Sequence, residues 1–226
     1  MIKLDKIDRE EALRYLAFSG KVADEFTEKL LNEAEAEMLK ILRPRYTYRI
    51  LPIEASGGAI RLSGVRLTLT GNDILSHLSG CHLAVLLCAT LSIDADAYIR
   101  QQQTLNMAKA LVADALENAA IEQVCDLAEE EIKSAHGLKN CTSRYSPGYG
   151  DLPLDIQGDF LAAVDAGRRL GVYVNNSNLL TPLKTVTAII GISDDELPSK
   201  NNENRCDRCS KRDTCSFRKA GKSCEI

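Results

Sequence analysis

At 226 residues, the chain is long enough to bury a full core without disulfides and fits one or at most two domains. Its 45% hydrophobic and 27% charged residues are ordinary for a globular protein, and a net charge of −4 argues against a general nucleic-acid or membrane-surface binder. The charge is uneven: Arg205 to Ile226 carries seven basic against three acidic residues.

The first residues, MIKLDKIDREEALRYL, lack the apolar core and cleavage site of a secretory signal, and no run reaches the roughly 20 apolar residues of a membrane span. The expectation is a cytoplasmic protein whose eight cysteines are thiols or metal ligands. Asp8 and Glu11 have the spacing of a capping box, opening a helix that Gly20 ends. A second helix is predicted over 22–42, with Phe26, Leu30, Leu31, Ala34, Met38 and Ile41 on one face and Pro44 closing it. The alternating runs 46–53 and 60–69, split by Ser56–Gly58, predict a hairpin. Asn72 is expected to cap a short helix through Leu78, and the apolar run 81–91 reads as a central buried strand.

From Asp94 to His136 there is no Gly or Pro. One unbroken helix would run about 65 Å, against a radius of gyration of about 17 Å for a domain of this size. A break is therefore expected near Gln101–Thr104, followed by an alanine-rich helix. Residues 140–145 read as a strand, 155–170 as a helix ended by Gly171, and 172–174 and 184–192 as two further strands. Helices and strands interleave without a β-α-β rhythm. The prediction is an α+β fold: a single domain over 1–193 with a twisted, largely antiparallel sheet flanked by helices, then a linker and cysteine-rich tail over 194–226.

The segment Arg144–Asp151, RYSPGYGD, reads as a specialised turn. Pro147 fixes φ near −65°, and Gly148 can take positive φ after it, which suits a type II turn. Tyr145 and Tyr149 offer flat faces, and Arg144 offers a planar fork suited to a carboxylate. A rigid turn with core-packed tyrosines and a seat for a ligand carrying a carboxylate and an aromatic base both fit these residues.

This loop, with Leu179–Ile192 (LLTPLKTVTAIIGI) and Leu111–Glu122 (LVADALENAAIE), resembles the activation domain of cobalamin-dependent methionine synthase, in its short stand-alone bacterial form. The resemblance implies an S-adenosylmethionine-binding module that supports reductive methylation of cob(II)alamin held by a separate methionine synthase or related corrinoid protein. A flavodoxin-like donor would supply the electron. It implies a cofactor site at Arg144, Tyr145, Ser146, Pro147, Gly148 and Tyr149, with Arg144 on the methionine carboxylate, and a partner-facing Asp114. Ile189 and Ile190 stand where the family carries aromatic residues, and Asn118 stands where it carries a glutamate. No cobalamin-binding Asp-x-His-x-x-Gly signature is present, so a complete methionine synthase is not expected.

Cys206, Cys209, Cys215 and Cys224 form C-x2-C-x5-C-x8-C in the basic tail, a set suited to zinc or an iron–sulfur cluster. This motif supports a different reading: an electron-transfer or redox-sensing protein acting through its tail. Cys81 and Cys88 read as core, Cys125 as a helix residue, and Cys141 as a strand residue or a pocket-lining one. His77, His82 and His136 are too scattered to form a ligand set.

Overall fold

The computed structural model describes residues 2–18, 23–196 and 213–214. The predicted α+β class is observed: a six-stranded sheet and a separate two-stranded one, with seven helices among the described residues. No described helix is long and apolar enough to cross a membrane.

The chain divides into two compact units. The first comprises Met1–Thr47, Cys88–Ala135 and Asp165–Val186. The second comprises Tyr48–Leu87, His136–Val164 and the described residues from Thr187 onward.

In the first unit, α1 (Arg9–Tyr15) begins where the Asp8 carboxylate accepts the Glu11 N–H at 3.1 Å. Helix α2 (Glu25–Ile41) starts three residues later than its apolar pattern predicts, because Asp24 caps it through Thr27 N. Leu30, Leu31, Ala34 and Met38 are buried, whereas Phe26, in the first turn, faces solvent. Helix α4 (Ile93–Leu105) packs against α2 and is followed by α5 (Met107–His136). The helix break falls at Asn106, beyond the glutamines. Its backbone is extended (φ −155°, ψ 99°), and its side chain accepts the Lys109 N–H, closing one helix and capping the next.

A single helix over 155–170 is not formed. Asp165 adopts φ +56° and separates α6 (Gln157–Ala163) from α7 (Ala166–Leu170), which ends as predicted at a left-handed Gly171. Strands β6 (Tyr173–Val174) and β7 (Leu180–Thr181) form the small sheet.

The large sheet has the order β3-β2-β1-β4-β8-β5. Strand β1 (Arg45–Ser56) turns into β2 (Ala59–Leu62) through Gly57 and Gly58, both at positive φ, as a two-residue hairpin loop demands. The second predicted strand is split, with β3 (Thr68–Thr70) pairing back on β2. Strand β4 (Leu83–Thr90) is buried along almost its whole length between β1 and β8 (Thr185–Ser193). Hydrogen bonds at its two ends, His82 N to Ile192 O and Leu91 N to Lys184 O, run in opposite sequence directions, so β4 and β8 are antiparallel. Strand β5 (Asn140–Cys141) pairs antiparallel with β8 at the edge. Helix α3 (Asn72–His77) packs against β3. Asn72 is its first residue and does not cap it.

Candidate functional site

The RYSPGYGD loop lies wholly in the second unit, and its geometry begins with the pairing of β5 on β8. Asn140 stands opposite Ser193 and Cys141 opposite Ile192, and at the next residue Thr142 N donates to Gly191 O while Gly191 N donates to the Thr142 hydroxyl, both at 2.9 Å. The next paired residues are Tyr145 and Ile189, which exchange N–H···O bonds of 2.9 and 2.8 Å. Ser143 and Arg144 therefore oppose the single residue Ile190, and the strand carries a β-bulge at the point where the signature begins.

The bulge changes which side of the sheet the chain addresses. Directly opposed residues share a face, and successive residues alternate. Cys141 goes with Ile192 and Tyr145 with Ile189, three positions away, so the two lie on opposite faces. In an unbulged strand, residues 141 and 145 would share one. The Ile189 face also holds Gly191, where a Cβ would strike Cys81 Sγ and Leu78, so the segment after α3 covers it. Ile189 and Ile190 are both buried but lie on opposite faces, so only Ile189 shares a side with Tyr145.

Beyond Tyr145 the chain makes the turn its sequence predicts. Ser146 O accepts Tyr149 N at 3.1 Å, Pro147 and Gly148 take the central positions, and Gly148 has φ +93°. A second bond, Leu152 N to Tyr149 O at 2.9 Å, folds Gly150 at positive φ. A Cβ there would collide with the Asp73 carboxylate and the Tyr145 hydroxyl. Pro147 is buried, while Arg144, Tyr145, Ser146, Gly148 and Tyr149 are half-buried. The Tyr145 and Tyr149 rings meet edge to face at 6.0 Å.

Helix α3 braces this loop from both ends. Asp151 Oδ2 accepts from Asn72 N at 2.6 Å and Oδ1 from Asp73 N at 3.0 Å, supplying the cap that Gly71 lacks. At the far end, His77 Nε2 lies 2.9 Å from Ser143 O, and its ring packs on Tyr145 with centroids 4.9 Å apart. A carbonyl only accepts, so His77 carries a hydrogen on Nε2. In the sequence His77 is one of three scattered histidines; its one local signal is its place at the end of a short helix before a buried strand.

The other predicted site residues fall elsewhere. In the first unit, Asp114 Oδ1 and Asn118 Oδ1 accept from Lys184 Nζ at 2.7 and 2.6 Å. Asp114 is about half exposed. Asp96 receives Leu183 N on both its oxygens, at 3.2 and 2.9 Å. Nearby Glu117 is buried, and its two carboxylate oxygens make no hydrogen bond with any described residue. Burial pushes its carboxyl up to about 8, with Lys184 pulling it down and Asp114 and Asp96 pushing it up. An open groove of about 550 Å³ in the same unit, lined by Arg43, Asp94, Tyr98 and Gln101, holds none of the predicted site residues.

Cys88 is buried as expected, which pushes its thiol up to about 12, and Cys125 is also buried. Cys81 and Cys141 are half-buried. His82 lies 3.6 Å from Asp194, and His136 meets the Tyr48 hydroxyl at 2.9 Å. Among the described residues, no group of three or more His, Cys, Asp or Glu side chains is placed to hold a metal ion. Cys206, Cys209, Cys215 and Cys224 lie outside the described residues.

No protein-family model matches the chain, and no curated protein matches it. Among solved structures, the crystal structure of the MetH reactivation domain bound to AdoHcy (S-adenosylhomocysteine) matches with a TM-score of 0.65 at 16% identity. The match covers 96% of this chain and 82% of that one. At that identity, what the two share is a fold.

Proposed function

We propose that this chain binds S-adenosylmethionine at the RYSPGYGD loop and serves a separate cobalamin-dependent methionine synthase, or a related corrinoid protein, as a reactivation module. One observation carries the reading. The loop singled out by its sequence is a braced Pro-Gly turn entered through a bulge at Arg144, in a chain that shares the fold of a reactivation domain bound to AdoHcy.

In this reading the Arg144 guanidinium holds the methionine carboxylate through paired N–H donors. The backbone from Tyr145 to Gly148 lies along the adenosine, and Tyr149 shapes the wall. The bound ligand supplies an activated methyl group on its sulfonium, and the protein supplies position and electrostatics. Ile189 offers less stacking surface than an aromatic residue, which lowers affinity. Asp114, half exposed and oriented by Lys184, belongs to the surface that meets the corrinoid partner, and an electron donor of flavodoxin type completes the system. On sequence spacing alone, the four tail cysteines add a zinc or iron–sulfur site. Metal analysis and visible absorbance of the purified chain test it.

Calorimetric titration with S-adenosylmethionine tests the central claim. The wild type binds, and Arg144→Ala binds at least about tenfold more weakly, as expected when a charge-assisted pair is removed. Absence of heat and of any thermal shift at millimolar ligand overturns the reading. Unchanged affinity in Arg144→Ala removes that residue from the site.

A further inference from the structure

We propose that His77 is the positioning residue of the signature loop: it holds the Ser143–Arg144 bulge so that the Arg144 guanidinium is presented to the carboxylate of the bound ligand. The assignment rests on the S-adenosylmethionine reading above. At the bulge, Ser143 O is displaced from the ladder with β8, whose neighbouring residues bond to Thr142 and Tyr145. Ser143 O instead accepts His77 Nε2 at 2.9 Å and the adjacent Thr142 hydroxyl at 3.0 Å. The Thr142 bond is local and moves with the bulge. The His77 bond comes from a different element and ties the bulge to α3.

Two further contacts make His77 a fixed point. The residue is only 7% exposed, its ring packed on that of Tyr145 immediately after Arg144. Its helix is anchored at the other end by Asp151, on the far side of the Pro-Gly turn. Arg144 thus lies between two residues, Ser143 and Tyr145, that both touch the same imidazole. A long, rotatable side chain binds a carboxylate well only when its backbone origin is held, because the ordering is then done before the ligand arrives.

His77→Phe keeps a flat ring against Tyr145 and removes the donor, while His77→Gln keeps an N–H near the position of Nε2. The full chain, as wild type and as both variants, is titrated with S-adenosylhomocysteine and with 5′-methylthioadenosine, which has the nucleoside and no carboxylate. His77→Phe is expected to weaken S-adenosylhomocysteine about fivefold, the loss of one hydrogen bond. It weakens methylthioadenosine clearly less, and His77→Gln restores the first affinity. Equal losses for both ligands, or none, overturn the proposal.

Amide exchange across residues 143–150 supplies a readout that needs no ligand. It is faster in His77→Phe and unchanged in His77→Gln. If exchange does not respond, the positioning role is wrong whatever the chain binds. If it responds while the wild type binds neither nucleoside, His77 braces the loop as proposed, and the S-adenosylmethionine reading is what fails.

Discussion

The carboxylate of Asp151 closes the N-terminus of a helix that begins 79 residues earlier, accepting the Asn72 N–H at 2.6 Å. With its second oxygen on Asp73 N, one side chain satisfies two of the four amide donors a helix start leaves open, and places a negative charge at the positive end of the helix dipole. The last residue of the signature therefore holds the loop to α3.

Asp151→Ala is accordingly expected to cost about 1–2 kcal/mol of stability, the usual loss for an N-cap, seen as a lower midpoint in urea. Asp151→Asn retains an acceptor and loses less. A wild-type midpoint in Asp151→Ala would mean that the trans cap contributes nothing.

Two glycines separate backbone strain from collision. Gly58, at φ +81°, has open space where a Cβ would stand, so Gly58→Ala is expected to cost about 1 kcal/mol from conformation alone. Gly71, at φ +125°, faces the Asp151 carboxylate and backbone. Gly71→Ala must displace the cap as well, and is expected to cost about 3 kcal/mol. Thermal unfolding of the pair should show a clearly larger drop for Gly71→Ala. Equal drops would place the whole effect in the backbone.

Glu117 sets a pH dependence. Its carboxyl sits at about 8 in the folded chain against an ordinary value of 4.5. The folded state holds the proton more tightly, so the stability this contributes is complete below about pH 4.5 and is lost as pH rises through about 8, at up to about 1.4 kcal/mol per pH unit. Glu117→Gln should flatten denaturant midpoints across that window. Lys184→Met removes the nearby positive charge and should extend the slope to higher pH. A wild-type profile with no fall between pH 5 and about 9 would contradict the assignment.

Local features of the fold were legible in the sequence. The Asp8 cap, the Gly57–Gly58 hairpin and the Pro147–Gly148 turn each depend on residues within a few positions, where side-chain chemistry dictates the backbone. What escaped depends on partners far along the chain. The bulge at Ser143–Arg144 exists only against the register of Ile189 and Ile192, and the cap of α3 comes from Asp151, not Asn72. His77 has no motif of its own; its meaning lies in a carbonyl 66 residues away. Between Asp155 and Leu170 the apolar pattern continued across Asp165, but the backbone reverses there to a left-handed residue that periodicity does not register.

The bulge makes the side addressed by the RYSPGYGD loop a matter of counting. Deleting one residue between Cys141 and Tyr145 would restore plain alternation along β8 and turn every later side chain of the loop to the other side of the sheet, with composition almost untouched. Length change at the Gly57–Gly58 tip has no such consequence. Variation in this protein can therefore proceed by insertion at the hairpin, and a gap of one residue ahead of Arg144 would mark a chain whose loop faces the other side of the sheet even if RYSPGYGD reads intact.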